Sequence, residues 1–126
     1  MEIIHRQHCE PFVTKDGSEI RELMAHRNSA CERSSLAEAT VPPDKATEAH
    51  RHPRTEEIYY VLAGAGRIRL GGEEADIRAG DAILIPPDTC HQVVNPGPDR
   101  LVFLCVCVPA YEDDDTVMDD GCASSR

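Results

Sequence analysis

From residue 45 onward, short apolar or alternating runs give way again and again to tight punctuation, the rhythm of strands joined by turns. "EEIYYVLAG" is β-branched and aromatic and stops at Gly64. "GRIRLGGEEADI" alternates Arg-Ile-Arg-Leu and turns at Gly71-Gly72, a hairpin signal. "AGDAILIPPD" is an apolar run bounded by Gly80 and the Pro86-Pro87 pair. "HQVVNPGPDRLVFLCVCVP" gives a strand, a Pro/Gly turn and a longer strand closed by Pro109. Before these, "SSLAEATVP" is a plausible strand, and "SEIRELMAH" fits either a strand or a short helix. No long helical pattern follows residue 35. Short strands at this spacing predict an all-β barrel or sandwich. Three regions result: an N-terminal extension of strands, 1–35, packing on the barrel; a barrel, 36–110; and an acidic tail, 111–126, with its last residues disordered.

Composition narrows the classes of function. A chain of 126 residues fits one compact domain with a single core. Aromatic residues make up only 4% and Trp is absent, so aliphatic side chains must fill that core. Acidic residues outnumber basic ones 23 to 13, and the basic residues are scattered, which argues against nucleic-acid and anionic-membrane partners. The start, "MEIIHRQHCEPF", is polar, and no apolar run approaches the ~18 residues of a membrane span, so a cytoplasmic location is expected. In that reducing compartment the six cysteines are expected to be free thiols, none spaced as CxxC. Cys105 and Cys107 share one strand face and read as small buried hydrophobes.

The chemistry enters at "HRHPRTEE", residues 50–57. Positions i and i+2 of a strand face the same way, so His50 and His52 project together. Pro53 ends that strand. Glu57 then shares a face with Tyr59 and Val61, while Glu56 shares the opposite face with Ile58 and Tyr60, so only one of the doubled glutamates can point into a barrel. His91 starts a later strand after a proline turn, and barrel closure would bring it opposite the other three. Three imidazoles and one carboxylate suit one divalent Mn, Fe, Co, Ni, Cu or Zn ion per chain and are poor for Ca or Mg. Two octahedral positions would stay open. An HxH pair alone more often lies on a solvated surface.

The spacing of the whole segment changes that balance. From His50 the chain reads H-x-H, four residues, Glu57, six residues, Gly64; from Gly80 it reads five residues, Pro86, Pro87, Asp88, two residues, His91, three residues, Asn95. This resembles the two signature motifs of the cupin superfamily, here 15 residues apart (Ala65 to Ala79), over roughly residues 36–108. The resemblance implies a double-stranded β-helix, a jelly-roll barrel of two antiparallel sheets. It also implies that His50, His52, Glu57 and His91 match the family's metal ligands, and that Gly64, Gly80, Pro86 and Asn95 match its framework positions. Asp88 departs from the pattern, standing where the second motif usually has Gly. Asp tolerates the left-handed conformation such a turn needs.

Other residues carry weaker signals. Tyr59 either lines the cavity, its hydroxyl available to a substrate, or packs the core. Arg67 and Arg69 share a face that reads as outer and solvated; Cys90 should point away from the metal; His5, His8 and His26 read as surface residues. Small cupins include isomerases, dioxygenases, decarboxylases, lyases and non-catalytic sensors, so the resemblance implies a metal-dependent enzyme acting on a small oxygenated metabolite, with Glu57 and Tyr59 catalytic. The alternatives are a metal-containing binding or sensor barrel without turnover, and a barrel that the metal only staples. No DNA-binding segment accompanies the barrel, which weakens a regulatory role. Exposed strand edges, and the habit of small cupins to pair through N-terminal strands, predict a homodimer.

Overall fold

The computed structural model describes residues 1–118. Its strands are β1 (Phe12–Val13), β2 (Glu19–Met24), β3 (Ser35–Val41), β4 (Lys45–Ala46), β5 (His50–Arg51), β6 (Glu56–Ala63), β7 (Ala65–Leu70), β8 (Glu73–Arg78), β9 (Ala82–Ile85), β10 (His91–Asn95), β11 (Leu101–Val108) and β12 (Val117–Met118). Two 3-10 turns, Arg6–His8 and Asp113–Asp115, are the other regular elements, and no α-helix occurs among the described residues. None of them forms a helix long and apolar enough to cross a membrane.

The strands make two antiparallel sheets. One runs β1-β2-β3-β11-β6-β9; the other runs β12-β5-β10-β7-β8, with β4 also on β10. Together they close a jelly-roll barrel, the form that the resemblance implies within the all-β class the strand rhythm predicts. The ambiguous "SEIRELMAH" is strand: β2 pairs with β3 from Glu19↔Thr40 to Met24↔Leu36. The free edge of β3 settles the matter, because pairing there satisfies backbone groups that a helix would leave exposed on the sheet.

Alternation along β6 and β11 decides what each sheet face meets. Glu57, Tyr59 and Val61 point inward on β6, as Leu101, Phe103, Cys105 and Cys107 do on β11. One end of the interior is apolar, with Val41, Val61, Ile68, Ile85, Val93, Leu101 and Phe103 in a single cluster. Burying each such side chain stabilises the fold by about 1.5–3 kcal/mol. Two turn positions show why the framework residues are what they are. Gly64 has φ 84°, and a Cβ there would overlap the Arg100 carbonyl oxygen. Asp88 has φ 61°, the left-handed conformation expected of the residue standing in for Gly. Asn95 is buried and ties the β10–β11 turn, its amide donating to Val41 O and Asp99 O at 2.9 and 2.8 Å and its oxygen accepting from Gly97 N.

Arg67 and Arg69 lie on the outer face, Arg67 paired with Glu74 and Asp76 at 3.0 and 2.7 Å and Arg69 with Glu74 at 3.4 Å. The expectation of free thiols holds for Cys9, Cys31, Cys105 and Cys107. It fails at Cys90, which is disulfide-bonded. This bond removes the cysteine argument for a reducing compartment. The expected disorder of the chain end falls on 119–126, outside the described residues. Residues 111–118 pack on the barrel, β12 pairing Val117↔Arg51 and Met118↔His50.

The outer face of β11, β6 and β9 is unlike the rest of this acidic surface. Ile58 stands between Val106 and Leu84, and Tyr60 between Leu104 and Ala82. Ile58, Tyr60, Leu62 and Leu84 are 40%, 43%, 44% and 54% exposed. At the other end of the same sheet, the N-terminal segment covers the outer face through Arg6–Glu38 contacts of 2.8 Å. A contiguous apolar patch on a chain of net charge −10 would let two copies meet where like charges are fewest, in keeping with the expected homodimer. We therefore expect light scattering to give twice the 13.9 kDa chain mass, and Leu84→Glu or Ile58→Glu to give the monomer.

A buried three-histidine centre and its carboxylates

The polar end of the barrel interior holds the residues singled out from the sequence. His50 and His91 are direct cross-strand partners on β5 and β10. His52 follows β5, and Glu57 sits near the start of β6, between Ile85 of β9 and Cys107 of β11. All four are buried, at 1–4% exposure. The metal-ligating nitrogens of the three histidines lie within 4.8 Å of one another, positioned to bind a metal. Glu57 Oε1 is 3.5 Å from both His52 Nε2 and His91 Nε2. Glu56, the other member of the doubled pair, faces out and is exposed.

Hydrogen bonds set which nitrogen of each ring faces the centre. His50 Nδ1 lies 2.9 Å from the Glu48 carbonyl, and His91 Nδ1 lies 2.9 Å from the Thr89 carbonyl. A carbonyl only accepts, so each Nδ1 carries the proton. His52 Nδ1 meets Thr116 Oγ1 at 3.2 Å, and that hydroxyl donates its own proton to Glu112 O at 3.0 Å, leaving a lone pair for Nδ1–H. Every Nε2 therefore turns a lone pair inward. Burial, followed by the charge of His91, pushes His50 down to about 4; burial also lowers His52. Burial raises the Glu57 carboxyl, but a proton on His91 or His52, whose charge and hydrogen bonding would favour the ionised form, together with the Cys107 thiol, outweighs it and holds the carboxyl below its usual range. Neutral imidazoles and an ionised carboxylate are the ligand states of a metal centre.

Cys107 donates to Glu57 Oε2 at 3.3 Å, and burial with the neighbouring carboxylate pushes its thiol up, so it stays protonated. Cys105 stays protonated for the same reasons. The pair read as small buried hydrophobes is buried, and one of them also holds the carboxylate. Tyr59 lines the cavity and packs its ring, tilted, against Phe103 with centroids 4.6 Å apart. Burial raises its phenol well above the ordinary value. His5, His8 and His26 are exposed, His26 pairing with Glu112 at 2.7 Å.

Several site residues come from segments that the sequence left without a role. Thr116 and Tyr111 belong to the C-terminal segment, whose anchor is Asp115, 5% exposed. Asp115 accepts from Arg54 N at 3.3 Å and lies 3.2 Å from Thr55 Oγ1. Asp16 comes from the β1–β2 turn and brings Oδ2 to 3.6 Å from His50 Nε2. "KDGS" carries a turn signal at Asp16-Gly17, but nothing local says which way the turn points. The centre opens into a cavity of about 50 Å³, also lined by Phe12, Ser18, Ala37 and Phe103.

An antiparallel jelly roll with inward histidines at its polar end is the architecture of a cupin. The cupin domain model matches residues 37–107, and the chain belongs to this family. It is 42% identical over 118 residues to an uncharacterized protein of Methanocaldococcus jannaschii, covering 92% of this chain and 94% of that one. It is 33% identical over 73 residues to an oxalate-binding protein of Thermotoga maritima, covering 58% of this chain and 60% of that one. The polyketide cyclase RemF of Streptomyces resistomycificus superposes with a TM-score of 0.76 at 26% identity, over 86% of this chain and 79% of that one.

Removing the Asp115 carboxylate leaves the Arg54 amide and the Thr55 hydroxyl without this partner, at a cost of about 1–3 kcal/mol. Asp115→Ala should lower the melting temperature by roughly 3–6 °C per kcal/mol, measured by circular dichroism.

Proposed function

We propose that the chain is a metal-dependent enzyme that holds one divalent transition metal through His50, His52, Glu57 and His91 and acts on a small oxygenated metabolite. The observation that supports this is a buried ring nitrogen and a buried carboxylate oxygen that face each other unmatched. His91 Nε2 and Glu57 Oε1 are buried and have no hydrogen-bond partner among the described residues. They are 3.5 Å apart, and with the ring proton on Nδ1 the approach sets lone pair against lone pair. A buried polar atom left unmatched costs about 1–3 kcal/mol, and a cation at the focus turns the whole set favourable. The spacing fits: two atoms each about 2.1 Å from one ion lie roughly 3.0–3.6 Å apart in cis-octahedral or tetrahedral arrangement.

The cavity favours a class of ligand. A cavity of about 50 Å³ suits a molecule of a few heavy atoms. Its charged lining residues among those described are Asp16, Glu22 and Glu57, with no Lys or Arg. Glu22 is matched by Arg27 at 2.6 Å, so a divalent ion would just balance Asp16 and Glu57. A dicarboxylate would then bring two unmatched negative charges into a buried site. An uncharged molecule with adjacent oxygen donors, a hydroxy-ketone or a vicinal diol, avoids that penalty and still chelates. This differs from what the name of the Thermotoga relative suggests for that protein, and the difference rests on the missing basic partner. The metal, when bound, supplies Lewis acidity toward a carbonyl oxygen. Glu57 would take a proton from the ligand, and Tyr59, on the same strand face, would donate a hydrogen bond to it.

Protein purified without a tag should contain about one transition metal per chain, and His52→Ala and His91→Ala should each lower that content at least tenfold by elemental analysis. In the cobalt-loaded protein, millimolar hydroxyacetone should perturb the visible spectrum more than oxalate does. Full metal content in both variants would sink the ligand assignment. A perturbed spectrum without turnover in a metabolite screen would make the chain a binding barrel.

A further inference from the structure

The first 35 residues precede the family's motifs, yet the turn between β1 and β2 reaches the centre of the barrel. Asp16 Oδ1 is saturated: it accepts from Thr14 Oγ1 at 2.8 Å, Ser18 N at 2.9 Å and Ser18 Oγ at 2.6 Å. This fixes the carboxylate plane and aims Oδ2 at His50 Nε2, 3.6 Å away. The Asp16 side chain is only 13% exposed. His50 Nδ1 gives its proton to Glu48 O, so Nε2 has none to offer Asp16. This is the same acceptor-facing-acceptor arrangement that Glu57 makes with His91, at almost the same distance.

The backbone couples the two residues. Glu48 holds His50 through its carbonyl and donates its amide to Asp16 O at 2.7 Å, so one peptide segment sets both positions. Lys15 reaches across to Asp113 O at 2.9 Å and Thr116 O at 3.4 Å, tying the turn to the segment whose hydroxyl orients His52. A solvent-facing turn needs none of these contacts.

We propose that Asp16 is a fifth ligand of the metal centre, delivered by the N-terminal hairpin to the flank opposite Glu57. This rests on the metal-centre reading above. Glu57 approaches His52 and His91; Asp16 approaches His50, the histidine that Glu57 contacts do not include. With both carboxylates in place one octahedral position stays open, and a chelating ligand takes its second position from Asp16.

Asp16→Asn tests this with little disturbance. The side-chain oxygen keeps its three donors, and only the metal-facing atom changes from a ligand to an NH₂. Cobalt(II) is titrated into the metal-free full chain, wild type and variant, against a competing chelator. The variant should bind cobalt about tenfold or more weakly and show a changed visible absorption, with the melting temperature of the metal-free protein unaltered. Ser18→Ala weakens the hairpin while keeping Oδ2, and should leave the cobalt spectrum as in wild type. Equal affinity and an identical spectrum in Asp16→Asn would overturn the fifth ligand and leave the centre itself standing. The same holds if Ser18→Ala reproduced the spectral change, which would make it an effect of hairpin position. A wild-type chain that binds no cobalt would instead sink the metal centre, and the fifth ligand with it.

Discussion

A neutral imidazole has one ring proton, and each of the three buried histidines has it fixed on Nδ1 by an acceptor outside the centre. Two of those acceptors are carbonyls two residues upstream in the chain, Glu48 O for His50 and Thr89 O for His91. The third is a hydroxyl from a distant segment, itself committed to Glu112 O. The tautomers are thus dictated by backbone that belongs to the turns leading into β5 and β10. The rest of the site follows: with neutral rings the Nε2 lone pairs converge beside Glu57, an arrangement positioned to bind a cation.

The barrel tolerates this because alternation keeps the incomplete region apart from the apolar core. Along β6 the inward positions run Glu57, Tyr59, Val61, and along β11 they run Cys107, Cys105, Phe103, Leu101, each from polar to apolar in the same direction. Tyr59 forms the boundary, its ring against Phe103 on one side and His91 on the other. The core cluster carries the folding energy at one end, so the other end can hold groups that would destabilise a uniform interior.

Much of this was legible in the sequence because it is local. Strand parity puts Glu57 and Glu56 on opposite faces, pairs His50 with His52 and gives Arg67 and Arg69 one face, while the motif spacing picks Glu57. The αL turn at Asp88 follows from residue chemistry, and His91 from the motif that contains it. What the sequence left open depends on chain segments meeting across long separations. Thr116 meets His52 only because β12 adds to β5, an edge that no local pattern in "DDDTVMDD" announces. Cys107 touches Glu57 through a register pairing fifty residues apart, and its apolar run reads as core. The disulfide at Cys90 was missed because the compartment argument, not geometry, set that expectation. Asp16 was missed because a turn residue looks the same whether it faces water or a metal.

The two carboxylates are held differently, and the difference bears on how a ligand can enter. Glu57 is mid-sheet, paired on both sides by β9 and β11, with Oε2 fixed by Cys107. Moving it means breaking ladder pairs in the sheet that carries the core. Asp16 rides on a turn between a two-residue strand and β2, at the outer end of the same sheet, anchored by side-chain bonds within the turn. Beyond the turn it is tied, among the described residues, only by the Glu48 amide and the Lys15 ammonium, so shifting it breaks a few polar contacts and no ladder pairs of the core sheet. A chelating ligand arriving through the cavity therefore meets least resistance at Asp16, and the charge argument runs the same way. An uncharged donor that displaces Asp16 leaves the carboxylate beside the ion it neutralises, whereas a dianion would crowd a second pair of charges against it. If the proposed fifth ligand holds, the N-terminal hairpin would be the element through which the barrel discriminates among small oxygenated molecules, a task that its place outside the family's motifs gave no reason to expect.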